Sequence, residues 1–163
     1  MSKCALFSRL CFELKTAAHN YKSEILDLDA PDTIFMLKLL TDRCEKFVSE
    51  IEQAIGTETE CFLLDNEILL DGKSTEAAST KAKNFSQIFE RLEKSESRLE
   101  RLYRRILQNS EITGELRNLL ERQSLAVYNW HNFVINEEIN FILVGEGKVP
   151  SEFQEKFYYG SIS

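Results

Sequence analysis

The chain has 163 residues, of which 43% are hydrophobic and 29% charged, a composition typical of one folded domain with an apolar core. The formal net charge of −7 disfavours a nucleic-acid partner, because such binding draws on a concentrated basic surface. No stretch of about eighteen apolar residues is present, so we expect no membrane span. Charge enters the N-terminal segment too early for a signal peptide. Together these features predict a cytoplasmic protein.

Four stretches carry apolar residues three and four positions apart, the pattern of an amphipathic α-helix rather than the period of two of a strand. We predict helices over about 3–29, 32–55, 76–108 and 112–143. The first and second helices are joined by a short turn, and so are the third and fourth, so each pair should form an antiparallel hairpin. The pattern predicts an all-α, up-down-up-down four-helix bundle over residues 1–147.

Two segments lie outside the predicted helices. Residues 57–74 are too apolar for a free loop and too short for a domain, so we interpret them as a crossover that packs along the bundle. The tail, residues 148–163, carries four aromatic side chains: Phe153, Phe157, Tyr158 and Tyr159. These side chains either dock on the bundle or bind a protein partner or a second copy of the chain, and the sequence leaves both possibilities open.

The four cysteines show no two-residue spacing of the kind used by zinc and redox motifs. Cys4, Cys11 and Cys44 fall within the apolar seams, where a free thiol behaves as a small hydrophobic side chain. We therefore interpret the cysteines as structural thiols rather than metal ligands.

Two polar residues, Glu96 and Gln123, interrupt the apolar seams of the third and fourth helices. In a hairpin that turns near Asn109, residues whose numbers sum to about 219 should face each other, which places Glu96 opposite Gln123. Burying either group without hydrogen bonds costs several kcal/mol, so the two should be linked. The first interpretation is a buried polar pair in which Glu96 and Gln123 hydrogen-bond and fix the pairing of the helices.

The second interpretation of the same place is a metal site. Ferritin-like bundles direct carboxylates and Glu-x-x-His pairs inward around two metal ions. Here Glu93, Glu96 and His131 are the candidate ligands for a divalent metal such as iron or manganese. The chain has only two histidines, and neither follows a glutamate at that spacing, so such a site would be incomplete. No arrangement of nucleophile, base and acid is indicated, and we predict no catalytic residues.

Short motifs along residues 5–137 resemble a bacterial family of unknown function whose members are ferritin-like four-helix bundles. The resemblance is carried by Glu93-Lys94-Ser95-Glu96 in the third helix and by Leu119-Leu120-Glu121-Arg122-Gln123 followed by Trp130-His131-Asn132 in the fourth. It implies a ferritin-like bundle with Glu96, Gln123 and His131 on one inner surface, and an association with stress or the cell envelope. It implies no particular activity.

The sequence thus leads to a structural or protein-interaction module, possible partners being another protein or a second copy of the chain. The alternative is a bundle that binds iron or manganese through a weak or incomplete site of carboxylates and histidine.

Overall fold

A computed structural model describes residues 3–26, 28, 29, 31–56 and 85–144, with side chains described up to residue 132 except those of residues 32, 85 and 86. These ranges contain four α-helices and no strand. The helices are α1 (Lys3–Ile25), α2 (Pro31–Gly56), α3 (Phe85–Leu107) and α4 (Gly114–Val144). The prediction of an all-α protein with four helices is confirmed.

The helix ends agree with the sequence pattern within two residues, with one exception. Helix α1 ends at Ile25 rather than near residue 29, because the chain turns there and the Leu28 N–H donates to the Ile25 carbonyl at 3.2 Å. The predicted start of the third helix at residue 76 lies outside the described residues. So do the predicted crossover, 57–74, and the aromatic tail, 148–163.

Each helix packs against two others: α1 contacts α2 and α3, while α4 contacts α3 and α2. Short turns make α1 antiparallel to α2 and α3 antiparallel to α4. Helices α1 and α3 are also antiparallel, because Glu24 near the end of α1 pairs with Arg91 near the start of α3, whereas Glu13 pairs with Arg98. Helices α2 and α3 therefore run in the same direction.

The order of directions is up-down-down-up, so the predicted up-down-up-down order is wrong. The reason is that a short turn forces two helices to be antiparallel, whereas a long connection allows either direction. Only the turns within the two hairpins are short. Helix α2 ends and α3 begins at opposite ends of the bundle, roughly 35 Å apart for helices of this length at a rise of 1.5 Å per residue.

The apolar seams of all four helices form one core. Its largest fully buried apolar side chains are Trp130, Tyr103, Phe7, Phe47 and Phe89. Burial of each such side chain stabilises the fold by roughly 1.5–3 kcal/mol. Because the outer faces are polar, none of the described helices combines the length and the apolarity needed to cross a membrane.

Two of the cysteines in the seams behave as predicted. Cys11 and Cys44 are buried free thiols, and burial raises the pKa of Cys11 to about 12 and that of Cys44 to about 11. Such thiols stay protonated at neutral pH and act as small hydrophobic side chains. Cys4 differs from the prediction, since it is disulfide-bonded.

The turn between α3 and α4 is held by local hydrogen bonds. The Asn109 side-chain oxygen accepts from the Glu111 N–H at 2.9 Å, an Asx turn. The Arg117 guanidinium donates to the Leu107 carbonyl at 2.9 Å and so satisfies one of the last acceptors of α3. Gly114, with φ of 68°, begins α4 in the left-handed region that glycine adopts without steric cost. These contacts fix the α3–α4 hairpin.

Candidate functional site

Several polar or charged side chains of the described residues are buried, and three of them have no exposed surface at all. The buried set is Ser8, Glu13, Thr33, Thr41, Arg43, Glu96 and Gln123. Arg43, Glu96 and Gln123 are each 0% exposed. Desolvation of such groups costs several kcal/mol unless their hydrogen bonds are made, so their partners decide what the core can do. Arg43 and Glu96 belong to one cluster, and Gln123 belongs to another.

The first, the ion-pair cluster, consists of Tyr21, Arg43, Ser95 and Glu96. Arg43 Nη2 donates to Glu96 Oε2 at 2.7 Å, and Nη1 lies 2.5 Å from Oε1. Tyr21 Oη donates to Glu96 Oε2 at 2.5 Å and lies 3.0 Å from Ser95 Oγ. The guanidinium therefore holds the carboxylate through one hydrogen bond and a second close ionic contact, and the contacts of the cluster tie α1, α2 and α3 together.

The surroundings of the ion-pair cluster shift the pKa values of Arg43 and Tyr21. Burial is the largest effect on Arg43 and by itself would lower its pKa, but the charge and hydrogen bond of Glu96, together with Cys44 and Tyr21, outweigh it and the net shift is upward. Burial and, after it, the Glu96 charge raise the pKa of Tyr21 well above its usual value. At neutral pH the arginine is charged and the phenol is a neutral donor, so the carboxylate is matched by one cation and one hydroxyl.

Sequence reasoning missed Arg43, although the signal for it is present. Arg43 stands three residues after Leu40 and four before Phe47, which are both seam positions of α2, so helical spacing alone directs it to the core. Its guanidinium carbon lies 5.9 Å from the centroid of the Phe47 ring, a cation–π distance. Tyr21 is buried at the apolar spacing of α1, and a buried tyrosine hydroxyl ordinarily has a hydrogen-bond partner.

The second, the amide cluster, consists of Phe47, Glu50, Tyr103 and Gln123. Tyr103 Oη donates to Gln123 Oε1 at 2.6 Å. Gln123 Nε2 donates to the Phe47 carbonyl at 3.3 Å and to Glu50 Oε1 at 3.2 Å. Burial raises the pKa of Tyr103 well above its usual value, so its phenol also remains a donor. The amide has partners on both its oxygen and its nitrogen, and these link α2, α3 and α4.

The structure buries Glu96 and Gln123, as predicted, but it does not join them by a hydrogen bond. Gln123 instead meets Tyr103, seven residues further along α3 than Glu96. Side chains of a helix lean toward its N-terminus. In an antiparallel pair the side chains of the two helices therefore lean in opposite directions along the bundle. The residues whose side-chain tips meet then have a larger sum of residue numbers than the residues whose Cα atoms are opposed. The sum of about 219 used to pair residues across the hairpin applies to opposed Cα atoms and not to side-chain tips.

His131, the third predicted site residue of the inner surface, lies in a different contact set. Its Nδ1 is 2.7 Å from Glu100 Oε2, and its Nε2 is 3.2 Å from Ser97 Oγ. The side chains of His131 and Glu100 are 16% and 14% exposed, so this contact is at the edge of the core. Both ring nitrogens are thus engaged within the α3–α4 hairpin, and neither contacts Glu96.

The structure does not bring Glu93, Glu96 and His131 together in one contact set. Both oxygens of Glu96 face the Arg43 guanidinium, and a divalent ion bound there would stand beside a second, fully buried cation. Glu93 is half-buried on α3 and joins neither contact set. Within the part of the chain that the structure describes, no three His, Cys, Asp or Glu side chains are grouped as a metal site requires.

No protein-family model, no curated protein and no solved structure matches this chain. Function is therefore inferred from the geometry itself. In that geometry the Glu96 carboxylate is paired with Arg43 and Tyr21, and the Gln123 amide has partners on both its oxygen and its nitrogen.

Proposed function

We propose that the protein is a structural or protein-interaction module and that its buried polar groups serve the fold rather than chemistry. The observation that carries this proposal is the matching of Glu96 by Arg43 and Tyr21. A carboxylate that acts as a base, nucleophile or metal ligand needs an oxygen open to the substrate or ion. Glu96 is 0% exposed, its Oε2 accepts hydrogen bonds from Arg43 and Tyr21, and its Oε1 lies 2.5 Å from Arg43 Nη1.

A ferritin-like topology is part of the proposal. Ferritin-like bundles combine two helical hairpins with one long connection, so their second and third helices run in the same direction. The parallel directions of α2 and α3 support this topology, because the C-terminus of α2 and the N-terminus of α3 then lie at opposite ends of the bundle. It concerns the fold alone, since one bundle architecture hosts many unrelated functions.

If the core serves the fold, binding has to occur on the surface. One candidate is the α3–α4 groove, a depression of about 440 Å³ whose lining includes Arg104, Leu107, Glu121, Leu125 and Tyr128. Leu125 is 39% exposed and Tyr128 47%, and they stand three residues apart on the outer side of α4. Exposed aliphatic and aromatic side chains beside charges are typical of protein contact surfaces.

The occupant that we propose for the α3–α4 groove is a second copy of the chain. A two-fold interface places the same patch on both partners, so it requires a patch that complements itself. The groove carries Arg104, which pairs with Glu100 on α3, and Glu121, which pairs with Arg117 on α4, and a two-fold axis between them would set Arg104 of each copy near Glu121 of the other. Leu125 and Tyr128 of one copy would then pack against the same two residues of the other copy.

Sedimentation velocity over a concentration series tests this interface. We expect the wild type to shift from monomer to dimer as its concentration rises, and Leu125→Glu to remain a monomer. Leu26→Glu is the matched control, because Leu26 is also exposed, at 81%, but lies beyond the end of α1. Equal sedimentation of the wild type and Leu125→Glu at every concentration would contradict the interface.

Metal analysis of protein purified without chelators separates the module from the iron- or manganese-binding alternative. We expect no stoichiometric metal after incubation with Fe(II) or Mn(II), because the carboxylate of Glu96 is paired with a guanidinium. Stoichiometric metal that is lost in Glu96→Gln would overturn the proposal and establish a metal site at this residue.

A further inference from the structure

Helices α1 and α3 leave a cleft between them that lies outside the α3–α4 groove and shares Tyr21 and Ser95 with the ion-pair cluster. The α1–α3 cleft has a volume of about 260 Å³ and is lined on the α1 side by Thr16, Ala17 and Asn20, and on the α3 side by Ser95 and Arg98. Small or short polar side chains face each other across it, so the two helices cannot fill the space. The volume suits a small organic molecule rather than a peptide.

One wall of the cleft holds a polar atom with no partner. The hydroxyl oxygen of Thr16 is buried and makes no hydrogen bond with any residue that the structure describes. A helical threonine ordinarily bonds the carbonyl one turn earlier, and a buried hydroxyl without a partner is destabilising. Opposite it, Ser95 Oγ contacts the phenol of Tyr21, which lines the same cleft. The centre of the cleft thus offers hydroxyl groups to a ligand.

The ends of the cleft carry charge. Glu24 and Arg91 close one end with an ion pair at 2.5 Å. At the other end, Arg98 is 3.8 Å from Glu13, beyond hydrogen-bonding distance, and Glu13 already has Arg9 at 2.9 Å. The side chain of Arg98 is 59% exposed, so its guanidinium is able to turn toward a ligand.

The balance of these charges favours an anion. Five charged side chains line the cleft: the three cations Arg91, Lys94 and Arg98, and the two carboxylates Glu13 and Glu24. The cleft is therefore positive by one charge, on a chain whose formal net charge is −7. A guanidinium binds a carboxylate through two parallel hydrogen bonds, which gives the end at Arg98 a specific anion preference.

We propose that the α1–α3 cleft binds a small hydroxycarboxylate, with the carboxylate on Arg98 and the hydroxyl groups on Thr16, Ser95 and Asn20. The carboxylate is matched by the one cleft arginine that lacks a close partner. The hydroxyls of the ligand provide the hydrogen bond that Thr16 lacks. This site is distinct from the proposed α3–α4 groove, so either proposal can fail without the other.

Titration of the folded protein with D-gluconate, followed by amide chemical shifts and calorimetry, tests the site. We expect a dissociation constant of about 1 mM, typical of a small polar ligand, with shift changes confined to the residues that line the cleft. Hexanoate is the matched ligand: it has the same chain length and charge but no hydroxyl groups, and we expect it to bind at least about tenfold more weakly. Equal binding of the two anions, or shift changes that avoid the cleft, would overturn the proposal.

Two variants locate the interaction. Arg98→Ala should weaken gluconate binding at least about tenfold, whereas Arg101→Ala, which removes an exposed cation one turn along the same helix and outside the cleft, should leave it unchanged. Thr16→Val keeps the shape but removes the unpartnered hydroxyl, so it should raise the melting temperature of the free protein while weakening gluconate binding. Unchanged affinity in both Arg98→Ala and Thr16→Val would refute the site, and the shift map of the wild type serves as a test independent of any variant.

Discussion

The ion-pair cluster and the amide cluster solve the same problem by different means. Each buries polar groups among three of the four helices, and each includes a tyrosine whose hydroxyl donates to the central side chain. The ion-pair cluster brings two full charges out of water and holds them against each other. The amide cluster holds a neutral side chain whose partners include a backbone carbonyl and the half-buried Glu50.

The difference predicts how each cluster fails. Removal of one member of a buried ion pair leaves the other charge without compensation, in surroundings that water cannot reach. Removal of a neutral amide leaves partners that are neutral, or that are near enough to the surface to be solvated. The ion-pair cluster should therefore tolerate single substitutions far worse than the amide cluster, and the following changes test that ranking.

The largest effect should come from Arg43→Met, which keeps most of the side-chain volume but removes the charge opposite Glu96. We expect the free energy of unfolding to fall by about 3–5 kcal/mol, as for other buried pairs that lose one partner. Urea denaturation followed by circular dichroism measures it. Arg101→Met, at an exposed position of α3, is the control and should change stability by less than about 0.5 kcal/mol. A similar small loss for Arg43→Met would mean that Glu96 is not a buried charge.

In the amide cluster, Gln123→Leu should cost about 1–3 kcal/mol, because it leaves the Tyr103 hydroxyl and the Phe47 carbonyl without their partner. Denaturation under the same conditions gives the comparison directly. If this variant proves less stable than Arg43→Met, the ranking of the two clusters is wrong.

Alkaline pH should destabilise both clusters through their tyrosines. The pKa of Tyr103 in the folded protein is raised well above 10 by burial, whereas the unfolded phenol ionises near its usual pKa of about 10. The stabilisation is complete below that value and is lost as pH rises above it, by about 1.4 kcal/mol per pH unit for each such group. Tyr103→Phe should reduce the slope of stability against pH by that amount.

The smallest effect should come from the edge of the core, where His131 meets Glu100. Glu100→Gln keeps the shape and removes the charge, and we expect a loss of less than about 1 kcal/mol, since contacts near the surface are solvated and screened. Thermal denaturation at low and high salt measures it, and the small difference from the wild type should shrink further as salt rises. A loss as large as that of Arg43→Met would place His131 and Glu100 among the essential groups of the core.

Much of this architecture could be predicted from the sequence, because the apolar spacing of three and four residues fixes both the helices and the faces that they bury. The burial of Glu96 and Gln123 follows from the same spacing. Their partners do not, since side-chain tips in an antiparallel pair meet at a different register from their Cα atoms. The parallel direction of α2 and α3 was also beyond the pattern, because it depends on the long connection.

Arg43 is the most instructive omission. Its position between Leu40 and Phe47 has the helical spacing of a core residue, although its side chain is charged. Arg43 lies opposite Glu96, so Glu96, which the sequence offered as a metal ligand, forms an internal ion pair. Buried charges seldom occur singly, so one buried carboxylate in a seam is a reason to search the facing seams for its cation.

The most direct test of this account is a double-mutant cycle on Arg43 and Glu96, with Arg43→Met, Glu96→Leu and the double variant compared by urea denaturation. If the two groups exist to neutralise each other, the double variant should lie within about 1 kcal/mol of the wild type, although each single variant loses about 3–5 kcal/mol. Losses in the single variants that simply add in the double variant would contradict the account, because the two residues would then act independently.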